Sequence, residues 1–199
     1  MAYLRSPVRR LQVIDATIGL MSAQGVQAVT TRAIAAAAGV NQSSINYLFG
    51  SRDELVRAVT ETLTNRVCLA LECIPLEGQT VESILDQFIE SITNEVVKNP
   101  EQHLLLELAL NAVRNGQQLD LARWQYQRYE ETCSRIIDRV CALSETTFTG
   151  DRVVTIRFAL AVLDGFEVQQ LVDDDPKMAQ LGLQQLGALL APMFQTCPT

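Results

Sequence analysis

A chain of 199 residues is long enough to bury one large hydrophobic core or two small ones. Its composition, 48% hydrophobic and 20% charged, is that of an ordinary globular protein and excludes a disordered chain. No apolar run reaches the ~20 residues that span a bilayer, and no apolar segment follows the charged N-terminus. We therefore expect a cytoplasmic protein with no signal peptide and no membrane partner.

The net charge of −7 is distributed unevenly along the chain. Residues 1–52 contain five arginines against the single acid Asp15, a local charge of +4, and the rest of the chain carries −11. Affinity for phosphates depends on local charge rather than on the total. The asymmetry therefore indicates a DNA-facing N-terminal end on an acidic body.

A short basic arm opens the chain. Arg5, Arg9 and Arg10 are candidates for contacts with phosphates or a minor groove, and the alternative is a solvated, frayed terminus. A helix is predicted over residues 8–24, ending at Gly25. Its apolar stripe, at spacings of three and four, consists of Leu11, Ile14, Ile18 and Met21.

Residues 30–55, TTRAIAAAAGVNQSSINYLFGSRDEL, have the pattern of a helix-turn-helix followed by a third helix. Thr30 is a good N-cap for a helix over residues 31–38, and Gly39 can turn the chain through positive φ without steric strain. Asn41 is placed to cap a second short helix that ends at Phe49. Residues 51–54 then form a capping box for the next helix. The combination predicts a DNA-binding motif, against the alternative of a small helical corner with a polar outer face.

The outward face of the motif's second helix carries short polar groups and one aromatic hydroxyl, but no charge. Such a face suits the base edges and phosphates of a major groove. Arg52, at the start of the following helix, is predicted to clamp a phosphate together with the free N–H groups there. The alternative for Arg52 is an ion pair with a nearby acid. The predicted outward residues are Gln42, Ser43, Ser44, Asn46 and Tyr47.

Six further helices and no convincing strand are predicted after the motif, making nine helices of an all-α fold. One of them, residues 101–114, is apolar nearly all round and is expected to run through the centre of the body. We predict a DNA-binding helix-turn-helix domain over residues 1–50 and a ligand-sensing and dimerisation domain over residues 51–199. The six helices are predicted over residues 53–74, 80–98, 101–114, 119–143, 151–172 and 177–194, with a polar loop over 144–150.

The last two predicted helices carry apolar residues around more of their circumference than a surface helix with one buried and one solvated side needs. One face should pack on the body, and a second could pair with its own copy as a four-helix bundle. The alternative is that helices of the same chain cover both faces. The predicted interface residues are Phe158, Val162, Gly165, Gly182, Leu186 and Leu190.

A ligand-sensing body requires a pocket where polar or aromatic residues interrupt apolar helices. The alternative for each such residue is an ordinary core or surface position. The competing class, an enzyme or a ligand-binding helical protein, finds little support, because the chain has no Gly-rich phosphate loop, no H-E-x-x-H and one histidine. We predict no catalytic residues and no cofactor. The candidate pocket residues are Phe88, His103, Glu107, Asn111, Trp124, Arg128 and Phe166.

The five cysteines favour buried free thiols over a disulfide framework, since their number is odd and no C-x-x-C occurs. A redox-sensing regulator that uses these cysteines remains an alternative. No zinc site is expected, because it would have to be assembled from scattered thiols and one histidine.

The motif T-T-R-x-I-A-x-x-A-G-V, followed by a recognition helix that ends F-G-S-R-D-E-L, resembles the TetR family of bacterial transcription regulators. The resemblance covers residues 8–60. It implies a homodimer, usually a repressor, that binds double-stranded operator DNA and whose body binds a small-molecule effector. The effector would change the separation of the two heads through the fourth helix, here residues 52–74.

The resemblance also implies roles for single residues. Thr30 and Thr31 fall where the family contacts phosphates, and Arg32 follows them among the expected DNA contacts. Arg52 takes the place of the family's usual lysine and is expected to keep its phosphate role.

Two positions depart from the family pattern. Asn46 stands where the family often has tyrosine, and its amide suits adenine. Leu48 stands where the family often has histidine, so no phosphate contact is expected from it.

Overall fold

The computed structural model describes residues 6–77, 80–93, 100–173 and 176–196, and within these ranges it contains nine α-helices. This confirms the predicted all-α fold. The predicted helix over 80–98 extends past the described residues at its C-terminal end. The helices are α1 (Ser6–Gln24), α2 (Thr31–Ala37), α3 (Gln42–Phe49), α4 (Arg52–Cys73), α5 (Val81–Ile92), α6 (Pro100–Asn115), α7 (Leu119–Ser144), α8 (Arg152–Asp173) and α9 (Pro176–Leu190).

The described chain forms two compact units, and the divisions between them fall within α4, at the start of α6 and within α7. The first unit contains the described residues of Met1–Asn65 together with Pro100–Gln125. The second contains those of Arg66–Asn99 and Tyr126–Thr199. The first unit thus holds α6 as well as the helix-turn-helix, whereas the functional division at residue 50 stays a prediction.

The core of the helix-turn-helix forms where α1 packs on α2 and α3. Ile14, Ile18 and Met21 are buried as predicted, but Leu11 is 53% exposed. Val13 is fully buried instead. The buried face of α1 is therefore rotated from the predicted stripe, because both α2 and α6 pack against this helix.

Helix α6 packs against α1 within the first unit. Its inner face is buried through Leu104, Leu105 and Leu108. Leu110 and Val113 are 59% and 65% exposed. The expectation of a helix that is buried all round in the centre of the body is wrong, because one side of α6 has no helix over it among the described residues.

The core of the second unit lies where α9 packs against α5 and α8. The apolar face of α5 supplies Ile84, Leu85 and Ile89, as its spacing predicted. Arg139 of α7 donates to the carbonyl oxygens of Glu72 at 2.7 Å and Ile74 at 3.0 Å, at the end of α4. A cation at this position also interacts favourably with the helix dipole.

Two short strands pair antiparallel at the ends of α7 and α9, where no strand was predicted. Strand β1 (Thr146–Phe148) pairs with β2 (Phe194–Thr196), in the register Thr147↔Gln195. The predicted ninth helix ends at Leu190 because Pro192 lacks an N–H group, and a 3₁₀ turn over Ala191–Met193 leads into β2. In the part of the chain that the structure describes, no helix is both long enough and apolar enough to cross a membrane.

Candidate nucleic-acid interface

Local caps and glycines determine where α2 and α3 begin and end. The Thr30 side chain accepts from the Ala33 N–H at 3.2 Å, as predicted for an N-cap. Gly39 has φ +62° and Gly50 has φ +79°, so each turns the chain where a side chain would be strained. The Ser51 side chain accepts from the Glu54 N–H at 3.1 Å and caps α4. Asn41 occupies the N-cap position of α3, but its side chain makes no capping hydrogen bond.

The two faces of α3 differ in burial. Ile45 and Phe49 are buried against the rest of the unit, while Tyr47 is 86% exposed. Gln42, Ser43 and Asn46 are exposed, and Ser44 is half-buried. The predicted DNA-facing residues therefore share one side of a helix whose other side is anchored in the core. Their contacts with DNA stay a prediction.

Arg52 is bound to backbone oxygen atoms at the entrance to α2. Its Nη2 donates to the carbonyl oxygens of Val26 at 2.9 Å and Val29 at 3.2 Å. The side chain thus ties α4 to the loop that precedes the helix-turn-helix. This structural use was not foreseen, because the two acceptors lie 26 and 23 positions away in the chain. The predicted phosphate contact of Arg52 stays a prediction.

The other arginines of the basic region differ in their surroundings. The Arg10 guanidinium lies 4.4 Å from the centre of the Phe49 ring, a cation–π contact that links α1 to the end of α3. Arg9 is half-buried and Arg32 is exposed, next to the half-buried Thr31. The predicted contact of Arg5 lies outside the described residues.

Four of the predicted pocket residues belong to the first unit. Glu107 Oε1 accepts from the backbone N–H of Val26 at 2.8 Å. Asn111 Oδ1 accepts from the side chains of Gln27 and Asn115. His103 and Trp124 are half-buried. Glu107 and Asn111 thus join α6 to the loop between α1 and α2.

The other three predicted pocket residues belong to the second unit. Phe88 and Phe166 pack against its hydrophobic core. The Phe166 ring lies directly over the backbone of Gly182. Arg128 Nη1 forms an ion pair of 2.7 Å with Glu131 Oε2. Their predicted role in ligand binding stays a prediction.

A cavity of about 220 Å³ lies in the first unit between α4, α6, α7 and the loop after α1. Of the predicted pocket residues, only Asn111 lines it. The other lining groups were not predicted, because single amides scattered over two helices and two loops carry no spacing pattern of their own. Those that the cavity brings together with Asn111 include Gln27, Asn115, Gln117, Gln118 and Gln125.

The predicted dimer residues fall on two different sides of the α8–α9 hairpin. Phe158 is 49% exposed, and Val162, Gly165 and Leu190 are half-buried. Leu186 is only 8% exposed and belongs to the core of the second unit. Residues that the prediction did not name extend the exposed apolar surface, and these are Val154, Val168, Leu171, Val172, Met178, Leu181 and Leu189.

The described cysteines are free thiols. Burial raises the pKa of the Cys68 thiol, and it raises that of Cys133 to about 12. Both thiols are therefore protonated and weakly nucleophilic at neutral pH, which favours inert thiols at these two positions. Of the described cysteines Cys68 is buried, Cys133 and Cys141 are half-buried and Cys73 is exposed, so the expectation of buried thiols is wrong for Cys73. Among the described residues, no group of His, Cys, Asp and Glu side chains is arranged to hold a metal ion.

Comparison with known proteins gives a matching family profile, a related repressor and solved structures of the same fold. The profile of bacterial regulatory proteins of the tetR family matches residues 13–59. The nicotine-responsive transcriptional repressor HdnoR of Paenarthrobacter nicotinovorans is 26% identical over 176 residues, which are 87% of this chain and 89% of that protein.

Solved structures share the fold at low identity. A TetR transcription regulator from Haloarcula marismortui superposes with a TM-score of 0.76 at 17% identity, over 95% of this chain and all of that one. The multidrug binding protein EbrR, complexed with ethidium, has a TM-score of 0.65 at 23% identity, over 89% of this chain and 98% of that one.

Proposed function

Since the chain belongs to the TetR family of bacterial regulatory proteins, we propose that it acts as a repressor that binds a palindromic operator as a homodimer and is released by a small-molecule effector. That it is a DNA-binding transcriptional regulator of the TetR type follows from the family. Three features go beyond this and are proposed here: the palindromic operator, the homodimer and the small-molecule effector. The family consists of regulators rather than enzymes.

The observation that carries the proposal is the exposed, uncharged side of α3. Tyr47 projects from it with 86% of its surface exposed, and Gln42 and Asn46 are exposed as well. Amide groups of this kind pair with base edges in a major groove. The N-cap Thr30 and the exposed Arg32, at the start of α2, are proposed to contact the phosphates beside that groove.

A homodimer is supported by the exposed apolar stripe on α8. Val154, Phe158, Ala161, Gly165 and Val168 recur at spacings of four and three residues, which places them along one side of the helix. Solvent-exposed stripes of this extent indicate an interaction surface. We propose that α8 and α9 meet their own copy here as a four-helix bundle, which would let two recognition helices read half-sites about 34 Å apart.

An effector is supported by two similar proteins. HdnoR is described as nicotine-responsive, and EbrR has been crystallised with ethidium. We propose by analogy that a small organic molecule binds in the C-terminal body of this chain, where Phe88, Arg128 and Phe166 are candidate contacts.

The test of DNA binding is a gel shift with promoter-region DNA across a salt series. We expect retardation that weakens steeply as salt rises, because phosphate contacts release counterions. No retardation even at low salt would contradict the proposal and leave a ligand-binding helical protein as the better interpretation.

A further inference from the structure

The cavity of the first unit has room for a small molecule. Its volume of about 220 Å³ lies below the range of about 300–1,000 Å³ that is usual for drug-sized ligands, so it suits a smaller one. Four separate chain segments form its walls: the loop at Val26, the start of α4, the second half of α6 and the start of α7. A molecule bound there would contact all four.

Hydrogen bonds hold the amide groups of the cavity in place. The Gln27 and Asn115 side chains both donate to Asn111 Oδ1, and Gln118 Nε2 donates to the backbone carbonyl of Asp53 at 2.9 Å. Each of these bonds involves either the nitrogen or the oxygen of a carboxamide group. The atoms that take no part in these three bonds include the side-chain nitrogen of Asn111 and the side-chain oxygens of Gln27 and Gln118.

The remaining walls determine which chemistry fits. Val56, Leu108, Ala112 and Leu121 provide an apolar floor, and each is less than a tenth exposed. The charged lining residues are Arg52 and the adjacent Asp53, which are of opposite sign. The Arg52 guanidinium already donates to the carbonyl oxygens of Val26 and Val29. Carboxamides donate and accept equally well, so they match uncharged groups that do the same.

We infer that this cavity is a binding site for a small uncharged molecule with one flat apolar face and an amide or hydroxyl edge. The apolar face lies on Leu108 and Ala112. The polar edge meets the Asn111 and Gln118 amides. A net charge on the ligand is disfavoured, because the cavity would partly desolvate it and its two charged lining residues, of opposite sign and adjacent in the chain, would attract and repel it at once.

The site goes beyond the proposed effector site, since it lies in the unit that contains the helix-turn-helix. Val26 and Gln27 line it directly, and they precede the N-cap Thr30 by only a few residues. Its occupancy is measured on the protein without DNA. A failure of this inference is therefore distinguishable from a failure of the proposed regulatory function.

The experiment uses three probes of equal size that differ in charge. Benzamide is neutral with a donor and an acceptor, benzoate is its anionic counterpart, and benzamidine its cationic one. Binding is followed by the shifts of side-chain amide signals in nitrogen-15 NMR spectra of the full chain. We expect benzamide to bind with a Kd of about 1 mM and the two charged probes to bind at least about tenfold more weakly.

Variants locate the bound probe. Gln118→Met keeps the side-chain length but removes the amide, and we expect it to weaken benzamide binding at least about fivefold. Ala112→Leu fills the floor and should abolish binding. Ala142→Leu adds the same bulk at an exposed position of α7 in the second unit and should bind benzamide like the wild type.

Three results would each overturn the inference. The first is an absence of benzamide binding at about 10 mM, which would indicate a cavity that holds only water. The second is equal binding of all three probes. The third is benzamide binding that Gln118→Met and Ala112→Leu leave unchanged in folded protein, since the probe would then occupy another site.

Discussion

The carboxylate of Glu107 accepts a hydrogen bond of 2.8 Å from the backbone N–H of Val26, 81 positions earlier in the chain. Val26 is 2% exposed and follows Gly25, which turns the chain with φ +80°. The bond therefore satisfies a donor that the turn would otherwise leave without a helix partner. It joins α6 to the segment that leads into the helix-turn-helix.

Replacing Glu107 should show how much this bond contributes. Glu107→Leu leaves the Val26 N–H without its acceptor, and we expect a loss of about 1–3 kcal/mol in the free energy of unfolding. Glu107→Gln retains an oxygen at the same place and should lose less than half as much. Urea denaturation followed by circular dichroism measures both. Equal midpoints for Glu107→Leu and the wild type would show that the bond contributes nothing.

Alanine substitutions of Tyr47 and Arg52 should differ in their effect on the free energy of unfolding, although both should reduce DNA affinity. Tyr47 is 86% exposed, so Tyr47→Ala should reduce DNA affinity at least about tenfold with stability changed by less than ~0.5 kcal/mol. Arg52→Ala removes two bonds to backbone carbonyls, and we expect it to lower the unfolding free energy by about 1 kcal/mol or more as well as DNA affinity.

Gel shifts and thermal melts of both variants separate these effects. Leu69→Ala, at a 62% exposed position of α4, is a matched surface truncation that should change neither quantity. Wild-type DNA affinity in Tyr47→Ala would refute the role proposed for this side chain. Wild-type stability in Arg52→Ala would show that its carbonyl contacts are dispensable.

A charge on the exposed stripe of α8 should break the proposed dimer. Phe158 is 49% exposed in the single chain, and Phe158→Arg would place a guanidinium in the apolar interface. Light scattering on a gel-filtration peak should give twice the chain mass of 22.0 kDa for the wild type and the single mass for the variant. Val113→Arg, 65% exposed on α6, is the control and should remain dimeric. A wild-type mass near that of one chain would count against the dimer.

Two glycines of the α8–α9 hairpin should respond oppositely to alanine. A methyl group on Gly182 would overlap the Phe166 ring, and we expect Gly182→Ala to cost about 1–3 kcal/mol. Gly165 has nothing within 4 Å of such a methyl group in the single chain, so Gly165→Ala should stabilise the helix by about 0.5–1 kcal/mol.

Thermal denaturation distinguishes the two glycine variants. The cost of Gly182→Ala should largely disappear when Phe166 is also changed to alanine, because the overlapping ring is then absent. If Gly165→Ala destabilises instead, close packing against the second copy is the expected reason, and its dissociation should become easier.

The Asp164 carboxyl should make stability depend on pH. Burial raises the pKa of Asp164, and the hydrogen bond of 2.7 Å from the Tyr126 hydroxyl only partly opposes this rise. The folded chain thus binds this proton more tightly than the unfolded chain, in which the carboxyl has its ordinary pKa of 3.8. The contribution of Asp164 to the free energy of unfolding therefore falls as pH rises from 3.8 through the raised pKa of the folded state.

The test is Asp164→Asn, which cannot titrate. Its stability relative to the wild type should rise with pH across that window and level off above it. Urea denaturation at several pH values measures this difference. A relative stability that falls with rising pH would reverse the sign and show that the pKa of Asp164 is lowered instead.

The sequence by itself determined the local elements of this protein. Thr30, Gly39, Gly50 and Ser51 place the ends of α2, α3 and α4 within one or two residues, because caps and positive-φ turns depend on neighbouring residues alone. The spacing of apolar residues, three and four positions apart, likewise predicted nine helices. It could not predict β1 and β2, whose pairing joins Thr147 to Gln195 and has no local signal.

Only the tertiary structure decided which side chains meet. Arg52 donates to the carbonyls of Val26 and Val29, Glu107 accepts from Val26, and Leu186 lies in the core rather than on an outer surface. Helical spacing shows that a residue shares a face with its neighbours, but not what covers that face. The cavity follows from the same cause, since α4, α6, α7 and the loop after α1 form its walls only once they have packed together.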